Sequence, residues 1–269
     1  MGKRIKKITV VTVTYNSVNE IRKTILSVIN QTYLDIEYII IDGGSTDGTL
    51  KIIKDFDKKI SILISEPDKG IYDAMNKGID LASGDYLIFM NSGDVFASEN
   101  VISDIIEKIE ERDDVIYGNI VRHTSVMDYI DYPKPLDFFS KGMPLDHQAV
   151  FVRSCLLKDN KFSLTYKIIS DFVQLRKLYT EGYNYKYINE IIAVRDHTKG
   201  ETHDNWEKTG LKELARYFGY DKTVRFKLSH SYHLFKHKII NALLPPSYRL
   251  KRAEKILKNK LKNNEIEKF

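Results

Sequence analysis

IIIDGGSTDGT, Ile39 to Thr49, is the stretch from which the fold can be read. Three β-branched residues lead into an acid and two glycines. Such a run suits a strand buried on both faces. The glycines let the chain leave that strand by a turn that a side chain would block. Ser45, Thr46 and Asp47 can each accept a backbone N–H, so one of them is expected to cap a helix beginning at Thr49. Asp42 then stands at the carboxyl end of a strand, where open α/β sheets hold their ligands.

On either side of this stretch, strand and helix patterns alternate. Strands are predicted at 8–14, 36–41, 60–64 and 85–90. Ile21, Ile25, Val28 and Ile29 form one helical stripe, 70–82 a second helix with Asp68 as its cap, and Ile102, Ile105, Ile106 and Ile109 another, begun by Ser98. Alternation of this kind argues for a parallel sheet covered on both faces. From about 114 the pattern is less regular. Short strands are expected near 115–121, 127–131, 148–152, 185–188 and 191–195, with a helix at 171–181 and a loop punctuated by Pro133, Pro135 and Pro144.

The 269 residues suit one large domain, or one domain with an appendage. The single cysteine, Cys155, excludes an internal disulfide framework and fits a reducing compartment. The start, MGKRIKKITVV, runs straight into a strand and does not read as a signal peptide. No apolar stretch approaches the roughly 20 residues needed to span a bilayer. Residues 207–269 hold 16 Lys/Arg against 6 Asp/Glu, although the whole chain has a net charge of only +5. A basic end on an acidic body implies either an anionic partner or a solvated helical face.

Three motifs stand in order: ITVVTVTYN (8–16), the stretch quoted above, and EPDKGIYDAMNKGIDLASGDYLIFMNSGD (66–94). Together they resemble the family-two inverting glycosyltransferases of bacteria, similar to those that build capsule, exopolysaccharide and lipopolysaccharide. The resemblance is close over 8–94 and looser over 145–205. It implies an α/β GT-A fold with a mostly parallel central sheet flanked by helices. Residues 1–206 would form the catalytic domain, with 1–97 as nucleotide-binding half and 98–206 as acceptor-binding half. Residues 207–269 would be a helical, basic extension.

The resemblance also assigns roles. The backbone around Thr14, Tyr15 and Asn16 and the carboxylate of Asp42 would hold the base and ribose of a nucleotide-sugar donor, most simply a UDP-sugar. Asp42 has a turn-forming role as its alternative. Asp73 and Asn76, three apart on one helix face, would point to the same edge or simply face solvent. MNSGD, 90–94, stands where the family carries several acids. Asn91 and Gly93 replace two of them and leave Asp94 to hold Mg²⁺ or Mn²⁺, an ion that binds through few protein ligands. His197, His203 and Lys199, in RDHTKGETH (195–203), would assist at the metal or diphosphate. Asp171, opening SDFVQLRKLY, matches the acid that takes the acceptor proton, or else only caps its helix. His147, in a His-Gln pair, would line the acceptor or donor-sugar pocket, or else be a buried structural histidine.

The reaction so implied moves a sugar to a hydroxyl of a growing surface glycan, free or lipid-linked. The protein would be cytoplasmic. Its basic amphipathic stretch 224–262 would lie on the anionic inner face of the plasma membrane; the catalytic domain or a second subunit is the alternative partner of that stretch. A nucleotidyltransferase would need a glycine-rich loop after the first strand, and TVTYNSVNEIRK has none. A sugar-nucleotide or glycan-binding module without catalysis is the other alternative, kept open by Asn91 and Gly93. No nucleic-acid-binding module is recognisable.

Overall fold

In the computed structural model, residues 6–124, 127–196, 209–219 and 266–268 are described. β1 (Ile8–Thr14) is buried at every residue, and β2 (Ile36–Asp42) at all but its first. β1 pairs in parallel with β2, Thr14 opposite Asp42, and on its other edge with β4 (Tyr86–Phe89). β3 (Ile62–Ser65) extends the parallel set beside β2. Alternate residues of these strands feed two cores. Ile8, Val10 and Ile40 pack with α1 (Ile21–Ile29) and α4 (Val101–Lys108); Val11, Val13 and Ile41 pack with α3 (Ile71–Leu81). α2 (Thr49–Lys54) follows the glycine turn, as expected. α3 lies so close that a Cβ on Gly78 would sit 2.5 Å from Val11 Cγ1.

The second half mixes directions. β8 (Val150–Arg153) runs antiparallel between β4 and β6 (Val115–His123). β7 (Tyr129–Asp131) pairs with the carboxyl end of β6, at Ile120–Arg122, and β9 (Tyr185–Asp196) runs parallel to β6. The sheet is therefore parallel in its first half and mixed beyond, with helices flanking it.

Several boundaries differ from the sequence reading. A 3-10 turn at Asp57–Lys59 delays β3 by two residues. Ser98 does not begin α4: Asn100 holds the N-cap position, and Ser98 Oγ accepts the Asn100 N–H at 3.3 Å. Asp68 accepts the Gly70 N–H at 2.8 Å, so it shapes the approach to α3 while Gly70 occupies the cap. A short strand, β5 (Val95–Phe96), pairs with β9. The two strands expected at 185–188 and 191–195 are one. Its irregular pairing with β6 is accommodated at Gly118, where a Cβ would lie 2.7 Å from the Glu190 carbonyl. His147–Ala149 is a 3-10 turn, so β8 starts later than expected, and α5 (Ser154–Asp159) follows it.

Residues 209–219 pack against the core that precedes them. α7 (Leu211–Tyr217) docks on α6 (Ser170–Thr180). Its Glu213 accepts the N–H groups of Lys167, Ile168 and Ile169 at 2.8, 2.9 and 3.3 Å, which neutralises donors at the entry to α6. Tyr217 and Phe218 pack on Phe172 and on the Arg176 guanidinium. Ile266–Lys268 forms β10, antiparallel to β7. The amphipathic segments of 224–262 lie outside the described residues. Among the described residues no helix is long and apolar enough to cross a membrane.

Glu37 is a charged residue inside this sheet, and it survives there because donors surround it. Thr9 Oγ1 and the Ser83 N–H reach its Oε2 at 2.6 and 2.7 Å; Ser83 Oγ and Lys7 Nζ reach its Oε1 at 2.5 and 3.1 Å. Burial pushes the carboxyl up, but these four bonds outweigh it and hold it at about 2, against an ordinary 4.5. A carboxyl held low in the folded state stabilises fully above its unfolded value and loses that contribution as pH falls through the folded one. Glu37→Gln should therefore cost about 1–2 kcal/mol at neutral pH, allowing for screening at the half-exposed Lys7. It should also flatten the loss of stability between pH 4.5 and 2. Melting curves across that range check this; an unchanged acid limb would place the acid sensitivity elsewhere.

Candidate active site

The carboxyl ends of β1 and β2 form one edge of the site. Asn16 adopts φ 47°, a left-handed turn that asparagine tolerates, and this throws Tyr15 outward to 63% exposure. Asn16 Oδ1 accepts the Thr46 N–H at 2.9 Å, and its own N–H reaches Ser45 Oγ at 2.8 Å. Thr14 is buried and its hydroxyl has no partner among the described residues. Asp42 is fully buried; it accepts from Ser45 Oγ at 2.5 Å, from the Ser45 N–H at 3.1 Å and from Ser65 Oγ at 2.6 Å. Its carboxylate thus shapes the turn, which is the alternative role of that acid. Asp47 accepts the N–H of Thr49 at 3.0 Å and of Val18 at 3.0 Å, and so ties α2 to the loop after β1. Asp68, which the sequence reading placed only as a helix cap, faces Tyr15 across Gly43. A Cβ on Gly43 would lie 2.5 Å from Asp68 Oδ2 and 3.3 Å from Tyr15 Cδ2, so only a glycine leaves space between the ring and the carboxylate. The first glycine of the pair was the available signal.

The other edge is built where β4 ends. The Met90 and Ser92 N–H groups bond to Val11 O and Val13 O at 2.9 and 3.1 Å, which keeps 90–92 beside the end of β1. Gly93, at φ 104°, turns the chain, and Thr24 secures it by accepting from the Gly93 N–H and donating to Asp94 O. Asp94 is buried and accepts Gln148 Nε2 at 3.1 Å. Burial pushes its carboxyl above the ordinary value, against the opposing pull of Arg195 and His147. His147 lies between the two halves of this edge: Nδ1 is 3.1 Å from Asp171 Oδ2, and Nε2 is 3.4 Å from Asn91 Nδ2. Asp171, in the first turn of α6, also takes the Phe172 N–H at 2.9 Å. The Tyr72 hydroxyl stands 3.0 Å from Asp171 and 2.8 Å from the Ile168 carbonyl. The oxygens Asn91 Oδ1, Ser92 Oγ and Gln148 Oε1 are buried without a partner among the described residues. Unmet buried acceptors are uncommon, and they suit a ligand rich in hydroxyl groups.

Behind this edge, Asp146 accepts from Arg195 Nη1 at 2.7 Å and pairs with Arg122, which also pairs with Asp131. Burial would push the Asp146 carboxyl up; Arg122 and Arg195 outweigh it and hold it far below the usual range. Arg195 thereby becomes a fixed cation near Asp94. It heads the loop singled out in the sequence, but attention there fell on His197, His203 and Lys199, which lie outside the described residues.

The structure brings Asn91, Asp94, His147 and Asp171 together. It does not add Asn76, whose amide bonds both the N–H and the carbonyl of Phe162, each at 2.9 Å. The expectation that Asn76 faces a donor is corrected accordingly: it clamps α3 to the chain before α6. Asp73 accepts the Lys69 N–H at 3.0 Å at the start of α3. Among the described residues no group of three His, Cys, Asp or Glu side chains is placed to hold a metal ion.

Residues 9–169 match the model of glycosyl transferase family 2. The chain belongs to that family. A PGL/p-HBAD biosynthesis glycosyltransferase of Mycobacterium bovis is 28% identical over 195 residues, covering 70% of this chain and 76% of the relative. Glycosyltransferase GlyG of Streptococcus pneumoniae is 34% identical over 116 residues, covering 42% of this chain and 38% of the relative. Among solved structures, S. aureus TarS superposes with a TM-score of 0.60 at 20% identity, covering 82% of this chain and 45% of that one. A mannosyltransferase of Pyrobaculum calidifontis, in complex with GDP-Man and Mn²⁺, gives 0.62 at 16% identity, covering 80% of this chain and 64% of that one. These likenesses show the GT-A fold.

Truncation of Asn76 tests its reassignment. Asn76→Ala strands the Phe162 N–H and should lower stability by about 1–3 kcal/mol. Affinity for a nucleoside diphosphate, read by calorimetry, should stay at the wild-type value; a large drop with an unchanged melting temperature would restore Asn76 to the donor site.

Proposed function

We propose that this family-two glycosyltransferase inverts configuration while moving a hexosyl or N-acetylhexosaminyl unit from a nucleoside-diphosphate donor to an acceptor hydroxyl. The observation that carries this reading is the meeting of the Asp171–His147 pair with Asn91 and Asp94 at the strand ends. Leaving-group stabilisation and proton removal need separate groups, and the site has both. The resemblance assigns proton removal to Asp171. The TarS structure in complex with UDP-GlcNAc and the archaeal one with GDP-Man and Mn²⁺ support a nucleotide-sugar donor. UDP is our choice of nucleotide.

Asp94 fits a divalent cation, because a buried carboxylate with a raised proton affinity gains from an adjacent positive charge. With a single carboxylate in place, most of the remaining ligands would be donor phosphates and water. When bound, Mg²⁺ or Mn²⁺ would neutralise charge building on the diphosphate. Arg195 adds a second, permanent positive charge on that side. Tyr15 and Asp68, flanking Gly43, suit the flat face and polar edge of a nucleobase. The acceptor is a surface glycan on a lipid carrier, with the basic stretch 224–262 on an anionic leaflet.

A screen of UDP-, GDP- and dTDP-sugars by nucleoside-diphosphate release, with and without Mn²⁺, tests the activity; silence with every donor would remove it. Asp94→Ala should nearly abolish release and leave the melting temperature within a few degrees. Wild-type turnover of that variant in Mn²⁺ would take the metal away from Asp94. Asp171→Asn should lose about 10²–10⁴-fold in turnover, the span typical of a positioned base, with UDP binding retained. Weak UDP binding with normal turnover would leave Asp171 as a helix cap.

A further inference from the structure

Tyr72, on α3, reaches across to Asp171 on α6. Its ring is buried against Phe162, with 5.3 Å between centroids, a contact that a phenylalanine would make as well. What a phenylalanine would lack is the hydroxyl, 3.0 Å from Asp171 Oδ1 and 2.8 Å from the Ile168 carbonyl. A hydroxyl has one proton and two acceptors compete for it here. The Ile168 peptide is fixed from its other side, because its N–H donates to Glu213 at 2.9 Å. The hydroxyl therefore stands between two anchored oxygens, and a turn about its C–O bond carries the proton from one to the other.

A carboxylate has about four lone-pair sites. Those of Asp171 Oδ1 meet the Phe172 N–H and the Tyr72 hydroxyl, and one of Oδ2 meets His147 Nδ1. Among the described residues the last site, on Oδ2, has no partner. The side chain is 18% exposed, so an acceptor hydroxyl can reach it. The cavity beside Asp171 is lined by apolar groups from β4, β8 and α5, namely Leu87, Phe89, Val150, Val152 and Leu157, and by the uncharged Gln174 and Leu175 of α6. The titratable groups around it are thus His147, Tyr72 and, on the backbone before α6, Glu213. Burial pushes the Asp171 carboxyl up, and His147, the Phe172 N–H and the Tyr72 hydroxyl together bring it below its ordinary value. Burial and the Asp171 charge push the Tyr72 phenol well above its own, so it remains a donor.

We propose that Tyr72 is a positioning residue for the base: its hydroxyl holds Asp171 Oδ1 while the carboxylate is charged and turns to the Ile168 carbonyl once Asp171 is protonated. The inference rests on the glycosyl-transfer reading above, with Asp171 as proton acceptor. As the acceptor O–H bond breaks, its proton passes to Oδ2 and its electron pair forms the new bond to the anomeric carbon. The bond from that carbon to the diphosphate oxygen breaks, and its electron pair leaves with the diphosphate. Asp171 is then neutral and attracts a donor less strongly. The Ile168 carbonyl takes over the Tyr72 proton, so no buried donor is stranded. The base is aligned and ionised before the step, and its protonated form carries no orphaned hydroxyl after it.

Tyr72→Phe in the full chain removes the hydroxyl and keeps the ring. The probe is the sugar donor that gives the fastest nucleoside-diphosphate release from wild type. On the pH plateau kcat should fall by about 10–100-fold, the scale on which lost alignment acts. The acid limb of kcat/KM should move to higher pH, because a carboxylate that loses a donor holds its proton more tightly. A carboxyl NMR titration of Asp171 in the ligand-free variant should move in the same direction. Phe162→Leu loosens the packing beside the same ring and leaves the hydroxyl; it should melt lower with its acid limb in place. Wild-type plateau turnover in Tyr72→Phe overturns the proposal, as does an unmoved acid limb, or a limb moved equally far by Phe162→Leu. If wild type releases no nucleoside diphosphate from any donor, the transfer reading has failed. The NMR titration then still reads the hydroxyl, and an Asp171 that titrates alike in wild type and Tyr72→Phe overturns its part.

Discussion

Two guanidinium groups closing on one buried carboxylate organise the reaction edge. Asp146 is largely shielded from solvent, so its charge is tolerated because Arg122 and Arg195 both reach it. Arg122 comes from β6 and Arg195 from β9, two strands that lie side by side. The next two residues after Asp146 are His147 and Gln148, which address Asp171 and Asp94. Removing one guanidinium would leave a buried charge without its full complement and free the turn that carries both side chains. A structural ion pair and the placement of the proposed reacting groups are here the same object.

The first half of the fold was legible because its signals are local. Strands at 8–14 and 36–42 announce themselves by runs of β-branched residues, and α1 and α3 by helical stripes. Even there, the ends slipped wherever a turn competed, as at Asp57–Lys59 and Ser98. The second half depends on partners far away in the chain. Nothing within Val150–Arg153 says that it will run antiparallel between β4 and β6, and a two-residue strand such as Val95–Phe96 is defined only by β9. Continuity of β9 likewise depends on a glycine in its neighbour.

The site divides in the same way. Asp94, His147 and Asp171 could be singled out because they sit in recognisable motifs. Their mutual contacts, which decide what each can do, were not visible, since residues 94, 147 and 171 come together only in the folded sheet. Arg195 was overlooked beside two histidines and a lysine that seemed better suited to phosphate. Asn76 was misassigned for the opposite reason: a polar residue on a helix face looks available until a backbone segment is found to consume it. Asp42 shows that a carboxylate at a strand end can serve the loop around it.

Helix α3 touches both ends of the site. The loop before it carries Asp68 to Gly43, its first turn carries Tyr72 to Asp171, and Asn76 fixes it to Phe162. Its eleven residues form a rod of about 16 Å, and Gly78 presses on Val11 without room for another methyl group. Such a rod has little freedom to slide. The corner proposed for a nucleobase and the pair of Asp171 with His147 are consequently held in one frame. Their separation is set when the chain folds, so the site behaves as a ruler: it measures the length of what is placed across it before any bond is exchanged.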